Sequence, residues 1–320
     1  MGDFLYICTL INSNRYMKRF FAVCMMASMG IASGYAQLAM PQNKLNIKAD
    51  MALRTGTDYH ITKDGTAVEE GHTEAFTKAG FQVSVPFYAK GTTILMASAR
   101  YSHIHQRFTP DMRTINYGFI HSAHHQFAGT ITGMSRLQLW GKPLILAGIV
   151  SADFSQYGYE RWTLMGTAML MLKQTRETQF GVGVVGLVNT FSKIPVFPML
   201  TYRHMFSPQW TLNLVVPKFQ LEYTLTKSDT FSFGASIDTD HYYIRPESEG
   251  LPSHVRYTRS NINVGPGYEH KFPSHFTLTA EAGAQFVMTN RVYKKGSNHV
   301  LATMHEKTAP YCRVTLQKGF

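Results

Sequence analysis

The sequence has 320 residues, with 31 Lys and Arg against 20 Asp and Glu and a formal net charge of +11. Only 16% of the residues are charged, against roughly 25% in an average soluble domain, whereas 13% are aromatic. No apolar run reaches the roughly 18 residues of a membrane-spanning helix, and the composition excludes collagen, coiled coils, disordered chains and disulfide-rich scaffolds. Two classes remain: a soluble all-β protein and a transmembrane β-barrel.

The N-terminal segment has the three parts of a secretory signal peptide. Lys18 and Arg19 precede the apolar stretch Phe20–Ile31, and small residues follow at Gly34 and Ala36. A buried N-terminal helix is the alternative interpretation. We expect residues 17–36 to be the signal peptide, residues 1–16 to be an extension from an upstream start, and residues 37–320 to be the barrel. The exported chain then keeps one cysteine, Cys312, and forms no internal disulfide.

From Leu45 onward, apolar and polar residues alternate with a period of two, which predicts β-strands. In the stretch from His275 to Asn290, for example, Phe276, Leu278 and Ala280 share one face and Thr277 and Thr279 the other. The alternation predicts fourteen strands: Leu45–Arg54, Ala75–Tyr88, Thr92–His105, Phe119–Leu139, Pro143–Phe154, Arg161–Leu172, Thr178–Val188, Phe197–Met205, Trp210–Val216, Gln220–Thr226, Phe231–Ile244, Val255–His270, His275–Asn290 and Tyr311–Phe320.

The connections between these strands alternate between short and long. One side receives short turns such as Ala89–Gly91 and Trp140–Lys142, and the other receives longer loops. These loops are Thr55–Glu74, Gln106–Gly118, Ser155–Glu160, Asn189–Val196, Arg245–His254 and Val292–Pro310, with Pro217–Phe219 as the short exception. Short turns on one side and long loops on the other are typical of bacterial outer-membrane barrels. We therefore predict an all-β fold, a transmembrane antiparallel up-and-down barrel of about fourteen strands, with twelve or sixteen as alternatives.

The polar face is rich in Thr, Ser, Gly, Gln and Asn, which predicts a hydrated lumen. The charged residues that we expect to face this lumen are Lys48, Asp50, Arg54, Lys78, Arg100, Arg136, Asp153, Arg161, Glu222, Asp238, Asp240, Glu281 and Arg313. Both signs are present, so the set permits either a selective aqueous pore or a network of ion pairs that closes the lumen.

Aromatic residues cluster at strand ends, which indicates interfacial girdles, with ordinary β-propensity as the alternative. Trp140, Phe206, Trp210 and Phe272 fall on the turn side, and Tyr157, Tyr159, Trp162, Tyr242, Tyr243 and Tyr293 fall on the other. The apolar positions change phase around Arg259–Asn261, which predicts a β-bulge there.

The passage from Phe197 to Tyr243 resembles uncharacterised outer-membrane β-barrel families of Bacteroidetes-type bacteria, each a domain of unknown function. The residues that carry the resemblance are PMLTYRH from Pro198, WTLNLVVPKFQLEY from Trp210 and FGASIDTDHYYI from Phe233. The alternating C-terminal strand that ends at Phe320 is similar to the signal read by the barrel-assembly machinery. The resemblance implies the fold and the outer membrane, and it transfers no activity.

Five histidines form the most unusual cluster at the loop side. His103 and His105 end the third predicted strand, and His121, His124 and His125 begin the fourth, its antiparallel neighbour. Neutral imidazoles at this spacing bind Zn²⁺ or Cu²⁺ when they converge, although polar rim residues are the alternative.

We expect no enzymatic activity, since no G-x-S-x-G motif is present, and we expect no cofactor. The scattered basic residues do not favour nucleic-acid binding and fit an anionic envelope instead. We predict passage of small solutes through the outer membrane, and contact with outer-membrane lipid and lipopolysaccharide. The rival hypothesis is a closed structural or surface-interaction barrel that contacts a partner through Thr55–Glu74 and Val292–Pro310, and a lipid-modifying enzyme is a further alternative.

Overall fold

A computed structural model describes residues 45–116, 123–188, 196–215, 218–297 and 299–320. The signal peptide and upstream extension predicted above lie outside these ranges and stay predictions. None of the described residues forms a helix long and apolar enough to cross a membrane. The described strands are β1 (Asn46–Arg54), β2 (Asp58–Lys63), β3 (Thr66–Thr73), β4 (Phe76–Lys90), β5 (Thr93–His105), β6 (Phe108–Arg113), β7 (Ala123–Leu139), β8 (Lys142–Ser155), β9 (Gly158–Gln174), β10 (Thr178–Val188), β11 (Val196–Met205), β12 (Trp210–Val215), β13 (Lys218–Thr224), β14 (Asp229–Ile244), β15 (Val255–Lys271), β16 (Phe276–Lys294), β17 (Val300–Glu306) and β18 (Ala309–Gly319).

Fourteen of these strands close into one antiparallel barrel. Around the barrel they follow the order β1, β4, β5, β7 to β16 and β18. The ring closes where β18 pairs with β1, from Asn46 opposite Gly319 to Arg54 opposite Tyr311. The predicted all-β barrel of fourteen strands is confirmed.

The alternation in each strand separates an exposed apolar outer face from an inner face. On β9, for example, Leu164 is 40% exposed and points outward, whereas Met165 is 2% exposed and points inward. The exposed apolar side chains form a continuous outer belt that includes Phe81, Val85, Phe127, Ile131, Val150, Leu164, Val184, Leu200, Phe219, Phe233, Val314 and Leu316. An apolar surface of this extent is stable in lipid and not in water, so the barrel is a transmembrane one.

The remaining strands form a sheet that extends the barrel wall beyond its loop end. In this extension sheet, β17 pairs with β16 and β2, and β3 joins β2 to β6. The longer loops predicted at Thr55–Glu74, Gln106–Gly118 and Val292–Pro310 therefore contain four strands that the sequence analysis did not predict. The β2–β3 hairpin turns at Asp64–Gly65, whose φ angles of 50° and 84° are those of a tight hairpin turn.

The connections at the opposite end, the turn end, are short as predicted. One prediction at the loop end was wrong, because β8 and β9 pair up to Ser155 and Gly158 and leave only two residues of the expected loop Ser155–Glu160. A register shift between Asp153 and Phe154 moves Glu160 out of the regular alternation, and this side chain is buried.

The predicted bulge is confirmed between Ser260 and Asn261, although the extra residue lies on the partner strand: Ser260 pairs with Thr289 and Asn261 with Val287. Strand β15 keeps one register with β14 along its whole length. The apolar residues therefore change phase for a different reason. Near the loop end the inner face of β15 is part of a packed core, so Tyr257 points inward.

Candidate functional site: the lumen and its closure at the loop end

The loop-end half of the β14–β15 hairpin leaves the barrel wall. Strand β13 pairs with β14 only as far as Lys218 opposite Ser236, so among the described strands of the wall the rest of β14 pairs with β15 alone. This part of β14, Ile237–Ile244, approaches β7 on the opposite side of the ring. Gln126 of β7 donates a hydrogen bond to the backbone carbonyl of His241. The hairpin tip thus folds across the lumen.

Burial on both faces of the hairpin tip shows this placement independently. Tyr242, Tyr243 and Ile244 are consecutive and all buried, although their side chains alternate between the two faces. Tyr242 stacks on His124 of β7, with ring centroids 4.6 Å apart. Placing Tyr242 and Tyr243 in an interfacial girdle was therefore wrong, because both side chains lie inside the protein.

The other side of the tip belongs to a core that fills the loop end of the barrel. This loop-end core joins inward residues of the wall to the extension sheet, and it consists of Tyr59, Ile61, Val68, Phe76, Ile104, Phe108, Tyr242, Ile244, Val255, Tyr257, Val292, Ala302 and Met304. Because the burial of apolar side chains is the main favourable contribution to such packing, the core holds the extension sheet and the hairpin tip together. The lumen is closed at this end.

A buried ionic cluster lies beneath the loop-end core. Arg54 of β1 is ion-paired with Glu306 of β17, and Arg259 of β15 approaches the same carboxylate at 3.8 Å. The Arg259 guanidinium also stacks on the Phe76 ring at 4.3 Å. All three charged side chains are at most 1% exposed. One carboxylate therefore compensates two buried cations, which makes Glu306 central to this cluster.

Further ion pairs cross the lumen between distant strands. Lys78 of β4 pairs with Asp240 of β14, and Arg313 of β18 pairs with Asp238 of β14. Other pairs join Lys218 to Glu281 at 3.3 Å, Arg161 to Asp153 at 2.6 Å and Arg100 to Asp50 at 3.8 Å. The structure thus brings many of the predicted lumen charges together. They form ion pairs with one another.

The inner wall formed by β8 to β11 differs from the predicted polar lumen. Its inward side chains are mainly apolar and form two clusters, which together contain Ile145, Ile149, Met165, Met169, Met171, Val185, Leu187, Phe197 and Met199. We call this surface the methionine strip. Expecting a polar inner face throughout was wrong on this side, where the charged pairs of the described strands, Asp153 with Arg161 and Glu160 with Lys295, lie near the loop end.

The extension sheet has its own cavity outside the barrel, with a volume of about 400 Å³. Its lining includes His60, Glu70, Asp111, His305 and Lys307. His60 and His305 are register partners on β2 and β17, and their rings stack with centroids 4.6 Å apart. Burial, together with the neighbouring charge of His60, lowers the pKa of His305. Hydrogen bonds from Lys307 and His72 lower the pKa of Asp58 at the rim.

The five predicted metal ligands do not form one group among the described residues. His103 and His125 are register partners with ring centroids 4.9 Å apart, and Tyr101 bonds His125 at 2.8 Å. His124 points to the opposite face, into the lumen. His105 pairs with Ala123, and His121 lies outside the described residues. No group of three or more His, Cys, Asp or Glu suited to a metal ion occurs in the described ranges, and metal binding stays a prediction.

Sequence reasoning did not single out Arg259, Glu306 or the methionine strip. Strand alternation already separates His124 from His125, so the split of the histidine cluster was predictable. The Asp64–Gly65 pair was also a readable hairpin signal. Nothing in the periodicity indicates that one hairpin leaves the wall, since alternation assigns faces without saying what covers them.

The family comparison covers the second half of the barrel. A family described as a domain of unknown function, DUF6268, matches residues 138–319, which is more than half of the chain. The chain belongs to this family. The predicted membership in an uncharacterised barrel family is confirmed, and the Bacteroidetes-type origin stays a prediction. No curated protein matches the sequence.

Three solved structures illustrate the similarity of fold. An outer membrane channel from Pseudomonas putida F1 has 10% identity and a TM-score of 0.45, over 88% of this chain and 97% of that one. A Pseudomonas aeruginosa FadL homologue has 9% identity and a TM-score of 0.41, over 86% and 90%. The Pseudomonas putida toluene transporter TodX has 9% identity and a TM-score of 0.40, over 93% and 98%. At TM-scores below 0.5, these likenesses transfer neither a solute nor a mechanism to this chain.

Proposed function

We propose that this chain is an outer-membrane protein that passes small solutes through the lumen of its barrel. The observation that carries the proposal is a closed ring of fourteen strands with an apolar outer belt and charged side chains on much of its inner wall. Side chains just fill a barrel of about eight strands, and wider barrels leave a channel or require a plug. No catalytic step and no cofactor are part of this proposal.

The loop-end core sets a condition on passage. With the β14–β15 tip folded across the lumen, the barrel is closed at its loop end. Transport along the barrel axis therefore requires the tip to move away from β7, which breaks the contact between Gln126 and His241. The pore is accordingly a gated one, with little permeability in the closed arrangement.

The proposal is tested by swelling of lipid vesicles that contain the purified protein. In a solution of a small sugar such as arabinose, we expect slow swelling above that of empty vesicles, and none with a large sugar such as raffinose. Protein denatured by heat before reconstitution is the control. A folded protein that gives no swelling with any sugar, even after the hairpin tip is trimmed, would refute solute passage.

A second candidate function is surface interaction, and the extension sheet favours it. The two segments that we expected to contact a partner fold against each other, with His305 of β17 opposite His60 of β2. They present a cavity with acidic and histidine side chains away from the membrane. This candidate predicts that removing β2 and β3 abolishes capture of an external partner and leaves vesicle swelling unchanged or raised.

The assembly partners follow from the same architecture and stay proposals. The apolar belt contacts outer-membrane lipid and lipopolysaccharide. Strand β18 alternates up to its end near Phe320, so we propose that the barrel-assembly machinery inserts the chain.

A further inference from the structure

Four cationic side chains face the lumen from the adjacent strands β18, β1, β4 and β5. They are Arg313, Lys48, Lys78 and Arg100, and we call this surface the cationic wall. Ala52 of β1 is the register partner of both Lys78 and Arg313. These two cations therefore lie in one row, on either side of a small residue and about 10 Å apart across two strand spacings.

A second row of the cationic wall lies four residues nearer the turn end, where Gln82 of β4 is the register partner of both Lys48 and Arg100. The carboxylate of Asp50 lies between the two rows, 3.8 Å from the Arg100 guanidinium. Gly80 makes room for it, because a Cβ atom there would lie only 2.8 Å from a carboxylate oxygen of Asp50. Among the described residues of these four strands, Asp50 is the only carboxylate that faces the lumen.

The hairpin tip supplies the remaining negative charge. Asp240 of the tip is ion-paired with Lys78, and Asp238 is ion-paired with Arg313. Because the two aspartates are separated by one residue in a strand, their side chains share a face and lie about 7 Å apart. With the tip in place, the four cations face three carboxylates, and without the tip they face Asp50 alone. The tip thus covers the cationic wall with a tethered pair of carboxylates.

Part of the cationic wall is exposed inside the barrel. The side chains of Arg100 and Arg313 are 35% and 25% exposed, unlike the ionic cluster beneath the loop-end core, whose side chains are at most 1% exposed. Strand alternation directs both arginines inward, so this exposed surface faces the lumen. Glu281, the register partner of Arg313 on the neighbouring strand β16, is engaged by Lys218 at 3.3 Å. The lumen therefore contacts these cations even in the closed arrangement.

We propose that the cationic wall binds a solute with two carboxylates about 7 Å apart, and that Asp238 and Asp240 occupy this site while the pore is closed. Carboxylates accept strong, charge-assisted hydrogen bonds from ammonium and guanidinium groups. A dicarboxylate replaces the ion pairs that the tip loses, so it stabilises the arrangement in which the tip has moved away. This inference rests on the proposed solute passage and assigns its substrate class.

The test measures the binding of adipate, a flexible dicarboxylate of matching length, to the full protein in detergent by isothermal titration calorimetry. Asp238→Asn combined with Asp240→Asn removes the tethered carboxylates and keeps the size of the side chains. We expect this double variant to bind adipate about tenfold more tightly than the wild type does, because the solute then meets Lys78 and Arg313 without a competitor. Acetate, with one carboxylate, should bind both proteins more weakly than adipate. Equal affinities of the two proteins for adipate would overturn the proposal, and so would the absence of adipate binding.

Two further variants assign the site. Asp153→Asn removes a lumen carboxylate that pairs with Arg161 at 2.6 Å, outside the cationic wall, and should leave the affinity for adipate unchanged. An equal gain in this control would contradict a specific site. Adding Lys78→Gln and Arg313→Gln to the double variant should lower the affinity about tenfold, and it leaves neither aspartate as an unpaired charge. Undiminished binding would refute the assignment to the cationic wall. Heat-modifiability on a gel confirms that each variant is folded.

Planar-bilayer recordings separate this inference from solute passage itself. Under a KCl gradient we expect anion-selective openings, and we expect adipate to make them more frequent in the wild type, because it competes with the tip. Cation-selective openings, or openings that adipate does not change, would contradict the proposal. Conductance without adipate binding would refute the dicarboxylate site and leave solute passage standing. Adipate binding without conductance in the double variant would refute passage and leave the site standing, so the two proposals fail in distinguishable ways.

Discussion

The β12–β13 and β14–β15 hairpins are neighbours in the barrel and have opposite defects of length. The first, Trp210–Thr224, ends well below the level of the strands beside it, and the second continues beyond its partner by the stretch Ile237–Ile244. The short hairpin leaves the wall incomplete, and the long one folds into the space behind it. One local difference in length thus accounts for both the gap between the described parts of β11 and β14 and the closed loop end.

The two hairpins show what happens to a strand, here β14, where its neighbour β13 ends before it. In lipid, unpaired backbone groups cost several kcal/mol each, so an edge of this length is unstable there. By folding inward, the stretch Ile237–Ile244 of β14 exchanges lipid for contacts with β7 and the loop-end core. Its sequence has the corresponding signature, because Tyr242, Tyr243 and Ile244 are apolar without alternation.

The largest expected effect comes from Glu306→Gln in the ionic cluster beneath the loop-end core. The substitution leaves the buried Arg54 and Arg259 without their carboxylate, and breaking such a cluster costs about 3–5 kcal/mol. Urea unfolding in lipid vesicles measures the loss. Glu74→Gln, whose exposed pair with Arg107 is 3.6 Å long, is the control and should cost less than about 1 kcal/mol. Equal losses would show that burial of Glu306 does not matter.

The next effect contrasts two isoleucines. Ile244 in the hairpin tip is fully buried, whereas Ile131 on β7 is 54% exposed to lipid. We expect Ile244→Ala to lower the free energy of unfolding by about 2–5 kcal/mol, because a cavity forms in packed surroundings. Ile131→Ala should cost much less, since lipid fills the space. A similar loss at both positions would contradict the folded-in placement of the tip.

The smallest effect is a pH dependence of the extension sheet. Burial and the neighbouring His60 lower the pKa of His305, so its charged form is disfavoured in the folded state. Stability is complete above the unfolded pKa of about 6.5 and falls as the pH drops through it, because the unfolded chain then binds the proton more readily. Hydrogen exchange in β2 and β17 should accelerate on acidification. His305→Gln should weaken the pH dependence of this exchange, and His299→Gln should leave it unchanged. An unchanged pH dependence in His305→Gln would show that another group causes it.

Much of the barrel was predictable because lipid and lumen impose a strict alternation. All fourteen wall strands were found close to their observed bounds, including β7 and β16. The methionine strip was not foreseen, because a polar inner face was predicted for all strands of the barrel. The extension sheet was missed because its strands lie in segments interpreted as loops, although Asp64–Gly65 marked one hairpin. The hairpin tip depends on the missing β13 partner, which only the register reveals.

The most direct test of the central claim is the planar-bilayer conductance of a trimmed barrel. In this variant residues 240–259 are replaced by Asn-Gly, so that Thr239 and Ser260, which are already register partners, are joined by a tight turn. We predict rare openings for the wild type and a steady open conductance for every inserted copy of the trimmed variant. A trimmed variant that is heat-modifiable, and therefore folded, but conducts no more than the wild type would contradict closure of the lumen by the β14–β15 tip.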